Sequence, residues 1–239
     1  MTLCDLTLPS PEENLACDEA LLDLVEAGQA SEILRLWQPA QYFVVVGYGN
    51  KVEAEVNTSF CEQHTIPILR RCTGGGTVLQ GPGALNYSLI LLTNSSGPLH
   101  SISTANQFIL KRHESALTPL VGARVEMRGC TDLAIGGIKF CGNAQRRKKR
   151  ALLFHGSFLL HFDIRTIEKA LPMPSKQPDY RLSRSHCDFL MNLKLSPESL
   201  KAALARTWQA SGALDGIPLD GINRLAREKY SSETWNFKL

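Results

Sequence analysis

Arg70-Arg71-Cys72-Thr73-Gly74-Gly75-Gly76-Thr77-Val78 is the first stretch whose residue types could do chemistry. Three consecutive glycines remove every Cβ from a place where backbone could approach a ligand closely. The two arginines before them offer planar, permanently charged donors suited to phosphate or carboxylate. A loop of this kind can hold an anion with backbone N–H groups and side-chain charge together. It lacks the Gly-Lys-Ser/Thr ending of the nucleotide-hydrolase phosphate loop, and it is not the GxGxxG of dinucleotide sites. On the glycines alone, a flexible hairpin loop with solvated arginines is an equal alternative.

A second stretch, Thr131-Asp132-Leu133-Ala134-Ile135-Gly136-Gly137-Ile138-Lys139-Phe140-Cys141-Gly142-Asn143, has a turn at Gly136-Gly137 and places Lys139 on the strand that follows. Strict alternation along that strand puts Lys139 and Cys141 on one face, with Ile138 and Phe140 on the other. A lysine here is either an edge residue reaching solvent, the commoner case for a side chain rarely buried, or a charge aimed into a pocket. The third stretch is Phe154-His155-Gly156-Ser157 inside an apolar strand. Its glycine admits close approach of a ligand; the competing reading is a hydrogen-bonded structural histidine.

Those residues need elements to hold them. Ser10-Pro11-Glu12-Glu13 has the form of a capped helix start, Leu15, Leu21, Leu22, Leu24 and Val25 supply its apolar stripe, and Gly28 is placed to end it. Strand-like runs follow at 33–37, 42–46 and 85–92, with short ones at 67–70, near 125, 133–135 and 138–141, and a longer one at 152–160. Helices are expected over 101–118, stopped by Pro119, from Ser196, and over 219–228. Strands and helices alternate without a βαβ rhythm, which predicts an α+β fold: one domain over 1–239 with a mixed, largely antiparallel sheet packed with helices. The loop-rich stretch 172–188 is the best internal break.

Composition sets the outer limits. In 239 residues, 26 Lys+Arg oppose 23 Asp+Glu for a net charge of +3, with 44% hydrophobic and 21% charged residues. A chain of this length buries about 70% of its extended surface, enough for a core without staples. No apolar run approaches the roughly 20 residues of a membrane span, and the N-terminus has no secretory shape. Seven cysteines without a CxxC pair indicate neither a disulfide framework nor a zinc ribbon, and no metal site is expected. The expectation is a cytoplasmic globular protein without a membrane partner. Arg146-Arg147-Lys148-Lys149-Arg150 is a basic run that can mean nucleic-acid contact, but +3 overall argues against the wide basic face such binding needs.

RRCTGGGTV, LNYSLIL, TDLAIGGIKFCGNAQR and FHGSFLL, in this order and spacing, resemble the lipoate-protein ligase A and octanoyltransferase family of the biotin and lipoate protein ligase superfamily. PEENLACDEALL, RLSRSHCDFLMNL and the terminal KYSSETWNF fit as well, so the likeness runs over essentially the whole chain. It implies a biotin/lipoate ligase-like, class II synthetase-like fold. The substrates it implies are lipoate and ATP with Mg2+, joined as lipoyl-adenylate before transfer to a lysine of a lipoyl carrier domain. Arg71, Gly74, Gly75, Gly76, Thr77, Val78 and Leu79 match the family's nucleotide and acyl-binding loop. Lys139 matches its active-site lysine, which contacts both phosphate and acyl carbonyl. Asp132 and Arg146 fall where they would line the same site. His155-Gly156 matches the histidine motif, with Phe154 in place of the family's first polar residue. The basic run is expected to close over the adenylate or to meet an acidic carrier.

Two features depart from the family pattern. Bacterial ligases of this type often carry a C-terminal accessory domain. Here the sequence stops at Leu239, just past the Trp235 segment where that domain would begin. The expectation is no accessory domain in this chain, and either a separate accessory protein or transfer without adenylation. Octanoyltransferases use an acylated cysteine. Leu171-Pro172-Met173-Pro174 holds none where one class places it, and the other class's position falls near Arg124. Cys130 and Cys141 are the nearest candidates, both out of register. The ATP-dependent ligase is therefore ranked above a cysteine transferase of octanoyl or lipoyl groups, and above a non-catalytic basic binding protein.

Overall fold

The computed structural model describes residues 1–239. Its elements in chain order are β1 (Thr2–Asp5), α1 (Pro11–Glu26), β2 (Ile33–Trp37), β3 (Phe43–Val46), α2 (Val52–Glu55), α3 (Thr58–Gln63), β4 (Ile68–Arg70), β5 (Val78–Gln80), β6 (Ala84–Leu92), α4 (Ile102–Val121), β7 (Val125–Arg128), β8 (Asp132–Ile135), β9 (Ile138–Arg147), β10 (Ala151–Leu159), α5 (Ile164–Ala170), α6 (His186–Phe189), α7 (Pro197–Thr207), α8 (Leu219–Leu225) and α9 (Glu233–Asn236). A 3-10 turn at Asp179–Arg181 and a π turn at Ala226–Tyr230 complete the list.

Seven strands form the main sheet in the order β1-β2-β6-β10-β9-β8-β7, antiparallel except for β1 with β2. The fold is α+β with a mixed sheet, as expected, but the glycine loop belongs to a second, three-stranded sheet, β4-β3-β5, which the sequence pattern does not separate from the first. Alternation along the central strands gives the main sheet two covered faces. Leu34, Leu36, Leu85, Tyr87, Leu89, Leu152, Phe154 and Phe158 point to one, under Ile109, Leu110 and Leu117 of α4 and Leu200 and Leu204 of α7. Ile33, Trp37, Ile90, Ala151 and Leu153 point to the other, under Leu21, Leu22 and Val25 of α1 and Ile222 of α8. Each fully buried side chain of this size stabilises by about 1.5–3 kcal/mol before chain entropy is counted. A smaller cluster packs the second sheet against α2, α3 and α5 through Val44, Val46, Val52, Cys61 and Ile167.

Helix starts follow the sequence closely. Ser10 Oγ accepts from the Glu13 N–H and the Glu13 carboxylate accepts from the Ser10 N–H, a complete capping box with Pro11 in the first turn. Pro119, expected to stop α4, instead lies in its last turn; the stop is Gly122 in the left-handed conformation (φ 65°). Pro119 has no N–H to offer the Ser115 carbonyl, and the helix runs only two residues further, to Val121, before Gly122 ends it. The helix expected over 219–228 ends at Leu225 and continues as the π turn.

On the α1 face, residues of the same alternation are polar where the sheet nears the glycine loop. Arg35, fully buried, donates to Asp18 Oδ1 at 2.6 Å, to Asn14 Oδ1 at 2.7 Å and to the Asn14 and Leu6 carbonyls. Ser88 donates to the other Asp18 oxygen at 2.8 Å. Burial pushes the Asp18 carboxyl up, but Arg35, His155 and Ser88 together outweigh it and hold its pKa below the ordinary value. The pair's contribution is therefore full at neutral pH. It is lost as pH falls from about 4, the unfolded value, through the lower folded one. Asp18→Asn should leave Arg35 buried without a counter-charge and cost about 3–5 kcal/mol. In denaturant titrations its stability should also fall less steeply with acid below pH 4 than that of the native chain. Equal stability at pH 7 would count against this role.

Candidate active site

The glycine loop runs from β4 to β5, and Arg71 shapes it. Its buried guanidinium donates to the carbonyls of Gly74 (2.7 and 3.1 Å), Gly76 (2.6 Å) and Val45 (3.2 Å). Burial pulls its pKa down to about 10, still charged at neutral pH. Arg71 is thus not the free phosphate donor that its residue type suggests; it gathers the loop's carbonyls to one side. None of the N–H groups of Gly74, Gly75, Gly76 or Thr77 donates within the protein, which leaves successive donors for an anion. Gly75 has φ +85°, and a Cβ there would lie 3.0 Å from the Arg71 guanidinium, whereas a Cβ on Gly74 or Gly76 would meet nothing within 4 Å. Gly47 is needed beneath the loop, where a Cβ would stand 2.0 Å from the Gly75 carbonyl oxygen. Arg70, also buried, donates to the Gly47, Tyr48 and Asn50 carbonyls and to those of Trp235 and Asn236, so α9 braces the strand that enters the loop.

Lys139 faces this loop because β9 carries a bulge. The β8 partners run Asp132 with Gly142, Leu133 with Cys141, then Ala134 with Lys139, so Phe140 has no partner of its own. The extra residue reverses the alternation. Lys139 and Cys141 therefore lie on opposite faces, contrary to the sequence expectation. Cys141 packs with Leu133 and Phe140 in the α4–α7 core, while Lys139 shares the loop's face with Asp132 and Gly142. Lys139 Nζ stands 2.7 Å from Asp132 Oδ1, and the Tyr180 hydroxyl donates to Asp132 Oδ2 at 2.8 Å. Burial, reinforced by the Asp132 carboxylate, pushes the Tyr180 phenol up, so it remains a donor.

These groups border one cavity of about 480 Å³, a volume suited to a small-molecule ligand. Arg71, Gly75, Gly76, Thr77, Val78, Leu79, Asp132, Lys139, His155 and Gly156 line it, as do Cys130 and Cys141. Gly74 and Arg146 do not. Arg146 turns behind the loop to Glu19 (3.2 Å) and the Cys72 carbonyl. Two more members of the basic run are committed, Arg147 donating to the Leu99 carbonyl and Lys148 pairing with Asp23, while Lys149 and Arg150 are exposed. It forms the β9–β10 hairpin and does not close over the cavity. His155 sits under the loop, with Nε2 2.7 Å from Thr73 Oγ1 and Nδ1 3.5 Å from Asp18. A Cβ on Gly156 would fall 1.8 Å from Asn143 Oδ1.

The stretch 172–188, expected to be a break, is a wall of the site. Pro172, Pro174, Lys176, Gln177, Pro178, Arg181 and His186 line the cavity, and the Met191 N–H donates to the Lys139 carbonyl at 2.9 Å. Tyr180, Asp18, Thr73 and Asn143 were missed as well; the last three lie inside the quoted stretches, but as small polar residues none was singled out for a role. Burial pushes the Cys141 thiol far up, which removes it as a nucleophile. Cys130 is exposed on the turn before β8 and makes no hydrogen bond.

The architecture defines the class. It superposes on lipoate-protein ligase A, solved with ATP bound, with a TM-score of 0.80, 26% identity and coverage of 99% of this chain and 98% of that one. The lipoyl protein ligase A/B catalytic domain matches residues 10–207, and the chain belongs to that family of enzymes. Its similarity reaches both branches. Lipoate–protein ligase 1 of Staphylococcus aureus is 26% identical over 96% of this chain and 71% of its own length. Octanoyltransferase LipM of Halalkalibacterium halodurans is 26% identical over 95% of each.

Gly75→Val should force a branched side chain into φ +85° and against Arg71. A stability loss of about 1–3 kcal/mol is expected, with affinity for an anion such as pyrophosphate reduced at least about tenfold as the loop's N–H groups turn away. Calorimetric titration and denaturant unfolding measure the two effects. Native affinity in the variant would show that the loop conformation does not matter.

Proposed function

We propose that this protein is an ATP-dependent lipoate-protein ligase that activates lipoate as lipoyl-adenylate and transfers the lipoyl group to a lysine of a lipoyl carrier domain. The observation that carries the reading is the pairing of four uncommitted loop N–H groups with Lys139 across one cavity. That arrangement suits a ligand bearing phosphate next to an acyl group. A neutral thioester would leave most of those donors unused. The ATP held by the similar ligase structure supports the same choice. Against the cysteine mechanism stands the core position of Cys141; Cys130 borders the cavity but has no hydrogen-bonding partner to activate it.

In the first step the lipoate carboxylate attacks the α-phosphate and pyrophosphate leaves. Charge accumulates on phosphate oxygens, where the loop N–H groups and Lys139 stabilise it. In the second, the carrier lysine attacks the acyl carbonyl and AMP leaves. Lys139, oriented by Asp132 and through it by Tyr180, polarises that carbonyl. We assign Mg2+ to the phosphates of the nucleotide, with which it would arrive as part of the substrate. The carrier domain is the acyl acceptor; the similar bi-partite lipoate protein ligase of Thermoplasma acidophilum, solved with its E2 lipoyl domain, supports both that acceptor and a role for a separate accessory subunit. Seven free cysteines suit a reducing compartment and support the cytoplasm as the proposed location. No helix is long and apolar enough to cross a membrane.

Mass spectrometry of a lipoyl domain incubated with the protein, lipoate, ATP and an accessory protein should show one lipoyl addition. Octanoyl acyl carrier protein without ATP should give neither acyl-enzyme nor product; an octanoyl adduct on Cys130 would overturn the proposal. The Cys130→Ala, Cys141→Ala double variant, if folded, should retain lipoylation. Lys139→Ala should cost about a hundred- to a thousandfold in rate, the penalty of losing one oriented oxyanion donor. Retention of more than about a tenth of native activity would remove Lys139 from the chemistry, since tenfold is only about 1.4 kcal/mol.

A further inference from the structure

Arg181 ends the 3-10 turn Asp179–Arg181 and lines the cavity, yet it is only 4% exposed. Its Nε donates to the Arg184 carbonyl at 3.0 Å, while neither terminal nitrogen has a protein acceptor, and Nη2 is also closed off from solvent. No carboxylate lies within ion-pair distance of it; the guanidinium rests 4.8 Å from the Phe189 ring centroid. A buried charge without counter-charge or full hydrogen bonding is expensive, and a ring face offsets only part of that cost.

The other arginines around the site are spent. Arg71 serves the loop carbonyls, Arg70 serves the turn after β3 and α9, Arg35 serves Asp18, and Arg146 serves Glu19. Arg184 donates to the carbonyls of Gly137, Tyr180 and Arg181. Lys139 is paired with Asp132. Arg181 alone combines burial, a place on the cavity wall and two uncommitted donor groups. Its backbone is fixed there by neighbours on both sides: the Tyr180 hydroxyl on Asp132 and Arg184 on the Gly137 carbonyl. A fork of two N–H donors held in one place matches the paired oxygens of a phosphate better than a single carbonyl.

Resting on the ligase reading above, we propose that Arg181 is a phosphate-binding residue of this site, which takes a phosphate of the nucleoside triphosphate. The same chemistry is offered by the phosphodiester of a phosphopantetheine arm, the donor group a transferase would meet. The nucleotide is favoured because the open N–H groups of the glycine loop supply the further donors that a polyphosphate needs.

Calorimetric titration of the full chain with Mg2+ and α,β-methylene-ATP, which cannot be cleaved at the α-phosphate, tests the assignment. Arg181→Met should weaken binding by about 10- to 100-fold, the loss expected for a charged hydrogen-bonding group. Arg181→Lys should fall between the two. Affinity for lipoamide, an uncharged analogue of the acyl substrate, should be unchanged in Arg181→Met, because the loop stays in place. Equal nucleotide affinity in Arg181→Met and the native chain would overturn the inference and leave the ligase reading standing. Parallel loss of lipoamide binding would also overturn it, since Arg181 would then only support the wall. A native chain that binds no nucleotide would overturn both. Arg181-dependent binding of phosphopantetheine in that case would give the residue to the acyl carrier's phosphodiester.

Discussion

The site depends on one buried cation whose donors are all turned inward. Arg71 holds three carbonyl oxygens, those of Val45, Gly74 and Gly76. Gathering carbonyls to one side of a short loop obliges the N–H groups between them to face elsewhere, and here they face no protein acceptor. Much of the surrounding structure serves that arrangement. Gly47 gives the loop room, Asn50 Nδ2 reaches the Gly75 carbonyl, and Thr73 Oγ1 meets His155 below it. His155 in turn touches Asp18, whose main partner is Arg35. A chain of polar contacts thus runs from helix α1, through the sheet, to the floor of the loop.

A second constraint sets which side of the sheet carries the chemistry. Without the bulge at Phe140, alternation would send Lys139 into the apolar face under α4 and α7, where a charge cannot be paid for by solvation. With it, Lys139 meets Asp132, and Cys141 and Phe140 fill the core. One extra residue therefore separates the two groups on which the competing mechanisms rely. The lysine is delivered to the cavity floor, and the thiol is buried where its ionisation is suppressed.

Local patterns were legible in the sequence wherever the physics is local. The capping box at Ser10 and Glu13, the Gly136-Gly137 turn and the apolar strand at 151–159 all depend on near neighbours, and the structure places them close to where the residues predict. The bulge was not legible, because it is a property of register between β8 and β9, and Leu133-Ala134 against Lys139-Phe140-Cys141 reads as plain alternation on either strand alone. The role of Arg71 was hidden for a similar reason: residue type announces a donor, but only the fold shows that its acceptors are carbonyls five residues away or fewer and one from β3. The basic run at 146–150 was misleading in the opposite sense, since Arg146, Lys148 and Arg147 turn to Glu19, Asp23 and the Leu99 carbonyl and only Lys149 and Arg150 stay exposed.

The stretch after Pro172 shows why composition alone makes a poor guide to boundaries. Proline, serine and charge mark a segment without regular structure, and a linker and a cavity wall share that composition. What distinguishes them is where the backbone's hydrogen bonds go. Here the Met191 N–H is bonded to Lys139, Arg184 to the Gly137 carbonyl, and the Tyr180 hydroxyl to Asp132. Three attachments to β8, β9 and their turn tie an irregular segment to the residues that carry charge in the cavity. Displacement of the segment would remove Asp132's second hydrogen bond and release Lys139 from a fully oriented partner. The irregular chain and the lysine strand are thus one unit, and the preorganisation that acyl transfer requires is built from both.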